Sequence, residues 1–191
     1  MTAASPPLET GRLAPVRSRH PLVALARAIY RSATGLRDAT PIQVLFARAP
    51  RLLIGHLTLL GVAQYGTSID ARLRHLVSVW GSRVDGCRFC DDLETAVALR
   101  HGALSREEVD ALPRWAEDPR FSERERAALR YVEEVNRTRA ASDETFAALR
   151  PHFSEREIVE ITWLNAVGTY LHVQAKAVGL PAPGSCRVPG A

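Results

Sequence analysis

Three Ser-x-x-Glu runs constrain this chain more than any other feature: Ser105 with Glu108, Ser122 with Glu125, and Ser154 with Glu157. Each places a hydroxyl at a helix N-cap and a carboxylate three residues on, so that both satisfy amides the first turn leaves unpaired. A fourth start is expected at Thr40-Pro41-Ile42-Gln43, with Thr40 as cap, Pro41 at the first helical position and Gln43 reaching back, before Pro50 breaks or kinks the segment. Stops are as clear, because Arg100-His101-Gly102 and Val178-Gly179-Leu180-Pro181 set Gly just past a helical stretch. Leu73, Leu76, Val77 and Trp80 recur at helical spacing, as do Ala128, Tyr131, Val132 and Val135. The stretch from Glu157 to Val178 is apolar almost all round, as in a central or subunit-buried helix. No series of period-two alternations bounded by hairpin turns competes with these signals, so the fold class is all-α.

With 191 residues the chain is long enough for one full core and short for two. One helical domain is expected over residues 19–180, between Pro- and Gly-rich tails at 1–18 and 181–191 that should be loosely held. Basic residues exceed acidic ones by 25 − 21 = 4, but they are scattered rather than gathered into a block, which argues against a nucleic-acid surface. The most apolar region, residues 41–62, is interrupted by Arg48, Pro50, Arg51 and His56. It falls far short of the roughly 18 uninterrupted apolar residues of a membrane span. An odd count of three cysteines, Cys87, Cys90 and Cys186, does not describe a disulfide-stapled secreted scaffold, and residues 1–20 lack the apolar run of a secretory signal. A cytoplasmic protein is expected.

The chemistry points to Cys87-Arg88-Phe89-Cys90. Gly86 falls where one helix gives way to the next, so the dithiol stands at a helix start, where free amides and the helix dipole favour a thiolate. Arg83 and Arg88 push the same way and Asp91 and Asp92 the other, so the sequence does not fix the sign of the net effect. At 100° per residue, Cys87, Cys90, Glu94, Val97 and His101 share one arc of the helix, while Asp91, Asp92 and Thr95 read as a solvated first turn. A carboxylate on an apolar stripe beside two thiols must be paired, protonated or wetted, which makes Glu94 a candidate for proton handling.

From Arg72-Leu73-Arg74-His75 through Asp85-Gly86-Cys87-Arg88-Phe89-Cys90 to Glu94, Ala98 and Gly102, the chain resembles the carboxymuconolactone decarboxylase and alkylhydroperoxidase D-like superfamily, in its peroxidase-related branch. That family sets a Glu twelve residues before a Cys-x-x-Cys and a His four residues after its second Cys. Here His75 stands where the Glu is expected and Glu94 where the His is expected, so acid and imidazole have changed places. The resemblance implies an alkylhydroperoxidase D-like helical bundle, usually oligomeric, that reduces a hydroperoxide at the expense of an external thiol or dithiol. Cys90 would be the peroxidatic residue, Cys87 the resolving one, and His75 with Glu94 the proton relay.

Neither cofactor nor metal is implied. A zinc site would need ligands beyond the pair, and no second Cys-x-x-Cys or His-x-x-x-His is visible, though His75, His101 and Cys186 could contribute. Cys186 reads as an ordinary free thiol in a tail, with a mobile third redox cysteine as the rival. His20, His56, His152 and His172 have no matching partners and read as surface or satisfied core residues. Trp163 and Tyr170 read as packing. The competing function is a non-catalytic or thiol-disulfide-sensing helical oligomer on the same scaffold.

Overall fold

The computed structural model describes residues 11–183. Nine α-helices, two short 3-10 turns and no strand occur among them: α1 (Pro21–Thr34), α2 (Thr40–Phe46), α3 (Leu52–Tyr65), α4 (Ala71–Val84) and α5 (Arg88–Arg100) precede α6 (Arg106–Ala111), α7 (Glu123–Thr138), α8 (Asp143–Leu149) and α9 (Glu155–Val178). Cys186 lies outside the described residues. No helix among them is long and apolar enough to cross a membrane.

All three Ser/Glu capping boxes form, opening α6, α7 and α9. Each capping carboxylate also makes a tertiary contact. Arg72 of α4 is ion-paired with both Glu108 and Glu125 at 2.6 Å, and Arg124 of α7 with Glu157 at 2.8 Å. The same side chains therefore start helices and fix their mutual placement.

The fourth start differs from expectation. Thr40 lies inside α2, the cap position is Ala39 without a side-chain bond, and Thr40 instead donates its N–H and its hydroxyl to Asp38. An Asp two residues upstream offers a fixed, charged acceptor, which outcompetes a Gln that would have to be ordered across a turn. Pro50 does separate α2 from α3.

α4 packs against α5, α7 and α9 and is the wall between two cores. Leu73 and Val77 face a cluster with Ala128, Val132, Ile161 and Leu164, whereas Leu76 and Val79 face one with Ala98, Leu112, Phe121 and Leu129. Trp80 touches both. A buried polar brace locks the register: Asn165 donates to the Asn136 side-chain oxygen at 2.6 Å, and Asn136 donates to the Gly81 carbonyl at 3.2 Å, joining α9, α7 and α4. A Cβ on Gly81 would come within 3.3 Å of both amides, so the glycine permits the approach. Ahead of α1, the Arg12 N–H bonds the Val178 carbonyl and Arg48 bonds the Ala14 carbonyl, fastening this segment to the end of α9 and to the turn after α2.

Both α3 and α9 keep apolar side chains on their outer faces. Ile54, Val62 and Tyr65 of α3 and Val159, Trp163 and Val173 of α9 are exposed.

Phe121 is almost wholly buried in the second core. Phe121→Ala should cost about 3–5 kcal/mol of folding stability, read from the shift in denaturant midpoint at unchanged slope. A loss below about 1 kcal/mol would show that this core closes around the gap.

Candidate active site

The dithiol is delivered by the turn that ends α4. Asp85 is the C-cap, Gly86 follows at φ 65°, and the N–H groups of Gly86 and Cys87 bond the carbonyls of Arg83 and Ser82 at 3.0 and 2.9 Å. This is a Schellman closure, and its left-handed position is why Gly86 is needed. Cys87 then serves as the N-cap of α5, its sulfur accepting from the Cys90 N–H at 3.3 Å. Cys87 and Cys90 are joined as a disulfide with their Cα atoms 5.2 Å apart. Both belong to a buried cluster with Val44, Ala175 and Leu180, against which Leu45, Phe89 and Val178 pack. Cys87 is 2% and Cys90 5% exposed.

The nearby charges largely cancel. Arg83 is ion-paired with Asp91 at 2.9 Å and donates to the Val109 carbonyl. The push of Arg83 and the counter-push of Asp91 are thus spent on each other. Thr95 does not belong to a solvated turn: it is buried, and its hydroxyl donates to Asp91 at 3.2 Å. The packing of α5 against α4 extends further round the helix than a single arc, and a threonine can be buried once its hydroxyl has an acceptor one turn back.

Glu94 stands one turn after Cys90 on α5. Part of its surface reaches solvent, but no described residue is hydrogen-bonded or ion-paired to it, and burial pushes its carboxyl up to about 7. His75, on α4, is 7% exposed. Its helix is covered on two sides, as contact with α5 requires. The imidazole packs edge-on against the His101 ring at 5.8 Å, with no bond to Glu94. Burial, then the neighbouring His101 and Arg74, lower its pKa to about 4. At neutral pH His75 is therefore uncharged, and Glu94 holds its proton well above the usual carboxylate range.

Two groups that pattern reasoning left aside also meet at this turn. His172 of α9 is buried and bonds through Nδ1 to the Asp85 carboxylate at 2.7 Å, and Lys176 donates to the Asp85 carbonyl at 2.6 Å. His172 is thus a partnered histidine. The sequence clue was the position of Asp85 two residues before Cys87, but its partner lies 87 residues further along the chain. His56 of α3 is buried against Phe46 with ring centroids 4.4 Å apart, and its Nδ1 has no partner. Burial lowers its pKa to about 4. His20 caps α1 through its ring nitrogen. Among the described residues no three His, Cys, Asp or Glu side chains are grouped to hold a metal ion.

The pattern of the carboxymuconolactone decarboxylase family matches residues 54–134, the span that contains α4, the dithiol turn and α5. A solved protein of unknown function from Agrobacterium tumefaciens, proposed to be the antioxidant defence protein AhpD, is 30% identical with a TM-score of 0.66. The match covers 71% of this chain and 93% of that one. This chain belongs to the carboxymuconolactone decarboxylase family. It is also 32% identical to the uncharacterized protein YnjA of Escherichia coli over 63% of this chain and 66% of YnjA. The chain spans about two thirds of the length of the curated relatives it matches. The debrominase Bmp8 shares the fold at a TM-score of 0.81 and 19% identity, covering 91% of this chain and 92% of its own.

Because Glu94 titrates higher in the folded than in the unfolded chain, the native state holds the extra proton between about pH 4.5 and 7. Stability from this group is therefore lost as pH rises through that window. His75 works in the opposite sense between about pH 4 and 6.5 and cancels when two proteins that both carry it are compared. Glu94→Gln should match the parent below pH 4.5 and exceed it by about 1–3 kcal/mol above pH 7. Thermal or denaturant unfolding across pH checks this, and a difference independent of pH would mean the carboxylate is already well solvated.

Proposed function

We propose that this member of the carboxymuconolactone decarboxylase family reduces a hydroperoxide with its own dithiol and is reset by an external thiol or dithiol. The observation that carries the reading is the bonded Cys87–Cys90 pair at a helix start, with an acid of near-neutral pKa one turn on. Likeness to the Agrobacterium protein proposed to act in antioxidant defence supports it. The Cys90 thiolate attacks the O–O bond, giving a sulfenic acid and releasing the alcohol or water. Cys87 condenses with that sulfenic acid, forming the disulfide and a second water. Glu94, with His75 in the second relay position, handles the proton that the leaving oxygen takes up. A reducing cytoplasm would supply the reductant.

After reduction, one equivalent of peroxide should consume two thiols per chain at this pair. Cys90→Ser should abolish peroxide consumption, and Cys87→Ser should permit a first oxidation but accumulate sulfenic acid, detectable by dimedone labelling. Equal, unimpaired turnover in both variants would reject the assignment. A second reading, a thiol-disulfide-sensing oligomer without efficient turnover, is favoured by one observation: His75 is packed against His101 rather than bonded to Glu94. A pair inert to peroxide but responsive to a glutathione poise would favour it.

Both readings include a homo-oligomer, supported by the exposed apolar side chains of α3 and α9. Trp163, 40% exposed, lies in the middle of the outer face of α9. Trp163→Glu should lower the sedimenting mass toward that of one chain. A monomeric parent would refute the expectation.

A further inference from the structure

The turn between the first two helices gathers positive charge that no protein anion answers. From Gly11 to Arg37 the chain carries Arg12, Arg17, Arg19, Arg27, Arg31 and Arg37 and no acidic residue. Gly35 closes α1 at φ 73° with its N–H on the Arg31 carbonyl, and Leu36 and Arg37 lead on toward α2. Among the described residues, Arg31, Gly35, Leu36 and Arg37 line a cavity of about 410 Å³ at this turn. Arg31 is held in place there, because its Nε donates to the Arg37 carbonyl at 2.9 Å. A third guanidinium, that of Arg100 at the end of α5, stands against Gly35 in the space a Cβ would fill. None of Arg31, Arg37 and Arg100 is ion-paired with a described carboxylate. Asp38, the nearest acid in sequence, is engaged by the Thr40 N–H and hydroxyl at 2.9 and 2.6 Å.

The helix dipole favours a cation in the last turn of a helix, and Arg31 and Arg100 both stand in such turns. That effect accounts for each alone. It does not account for cations from two helices and a loop arriving at one glycine, where like charges repel unless an anion lies between them.

We propose that the cavity at the α1–α2 turn binds a phosphate group carried on a small organic molecule, with Arg31 and Arg37 as its ligands and Arg100 as a third charge at the Gly35 wall. A guanidinium presents its N–H groups as a planar fork that matches two oxygens of a phosphate. A phosphate monoester brings close to two negative charges and three strong acceptor oxygens, whereas a carboxylate brings one charge and two oxygens. Two forks and a neighbouring cation suit the former. The cavity is larger than a lone oxoanion needs and falls within the roughly 300–1,000 Å³ of small-molecule sites, so the organic part has room beside Leu36. Gly35 is what lets the wall carry charge: a side chain there would strain left-handed backbone and displace the Arg100 guanidinium. The site draws on none of the chemistry proposed for the dithiol.

The test is isothermal titration of the full-length protein with phenyl phosphate, inorganic pyrophosphate and benzoate, the last a carboxylate on the same ring. Phenyl phosphate is expected to bind saturably, once per chain, and to be displaced by pyrophosphate, with benzoate weaker by about tenfold or more. Arg31→Ala and Arg37→Ala should each weaken phenyl phosphate by about tenfold or more, since each removes a charge-assisted fork. Arg130→Ala deletes an exposed positive charge on α7, a helix that does not line the cavity, and should leave the affinity within about twofold. No saturable binding of phenyl phosphate or pyrophosphate in the millimolar range would overturn the site. Equal losses in Arg37→Ala and Arg130→Ala would reduce it to diffuse surface charge and overturn it as well, and benzoate as tight as phenyl phosphate would overturn the choice of ligand. Duplex DNA or anionic vesicles binding through Arg37 while phenyl phosphate does not would assign the arginines to a macromolecular surface instead. Arg37 is exposed in the loop, so Arg37→Ala keeps the test decisive should Arg31→Ala fail to fold.

Discussion

The burial of α4 on both sides is the constraint from which the rest follows. A helix with one apolar stripe can rotate or slide by a residue and recover much of its burial, but one that fills two cores cannot. Leu73 and Val77 are committed to one cluster, Leu76 and Val79 to the other, and Trp80 to both. The Asn165–Asn136–Gly81 brace adds a polar condition, since a slip would leave buried amides unpaired. With α4 fixed, its last turn is fixed too, and with it the place at which Gly86 turns the chain and Cys87 begins α5.

Electrostatics at this turn are arranged by neutrality more than by charge. Arg83 and Asp91 pair with each other, His75 is held uncharged by burial, and Glu94 holds its proton well above the usual carboxylate range. In such surroundings a proton is cheap to move and a permanent charge expensive to keep. His75 and Glu94 put two titratable groups on α4 and α5, the helices on either side of the turn, and the ring contact of His75 is to His101.

Local rules wrote most of this fold legibly. Capping boxes at Ser105, Ser122 and Ser154 need only residues three apart, and the stripe of α4 only helical spacing, so both were visible without coordinates. The dithiol at a helix start was legible for the same reason, because Gly86 marks the turn. What stayed hidden was competition and distance. Asp38 took the bonds expected of Thr40, Asp91 gave Thr95 a reason to be buried, and His172 found Asp85 across 87 residues. No periodicity reports which of several histidines a distant helix will bring to a carboxylate.

The Cys87–Cys90 bond closes a ring within a single helical turn, between the N-cap of α5 and its third residue. A cross-link removes unfolded-chain entropy in proportion to the logarithm of the loop it closes, so so short a ring restrains little of the chain beyond itself. Opening or closing this bond would therefore act mainly on the turn itself rather than on the two cores. On the proposed function, the scaffold would be insulated from its own chemistry. Any message that a change of redox state sent outward would have to leave through the residues clustered with the cysteines, on α2 and α9, rather than through the stability of the chain.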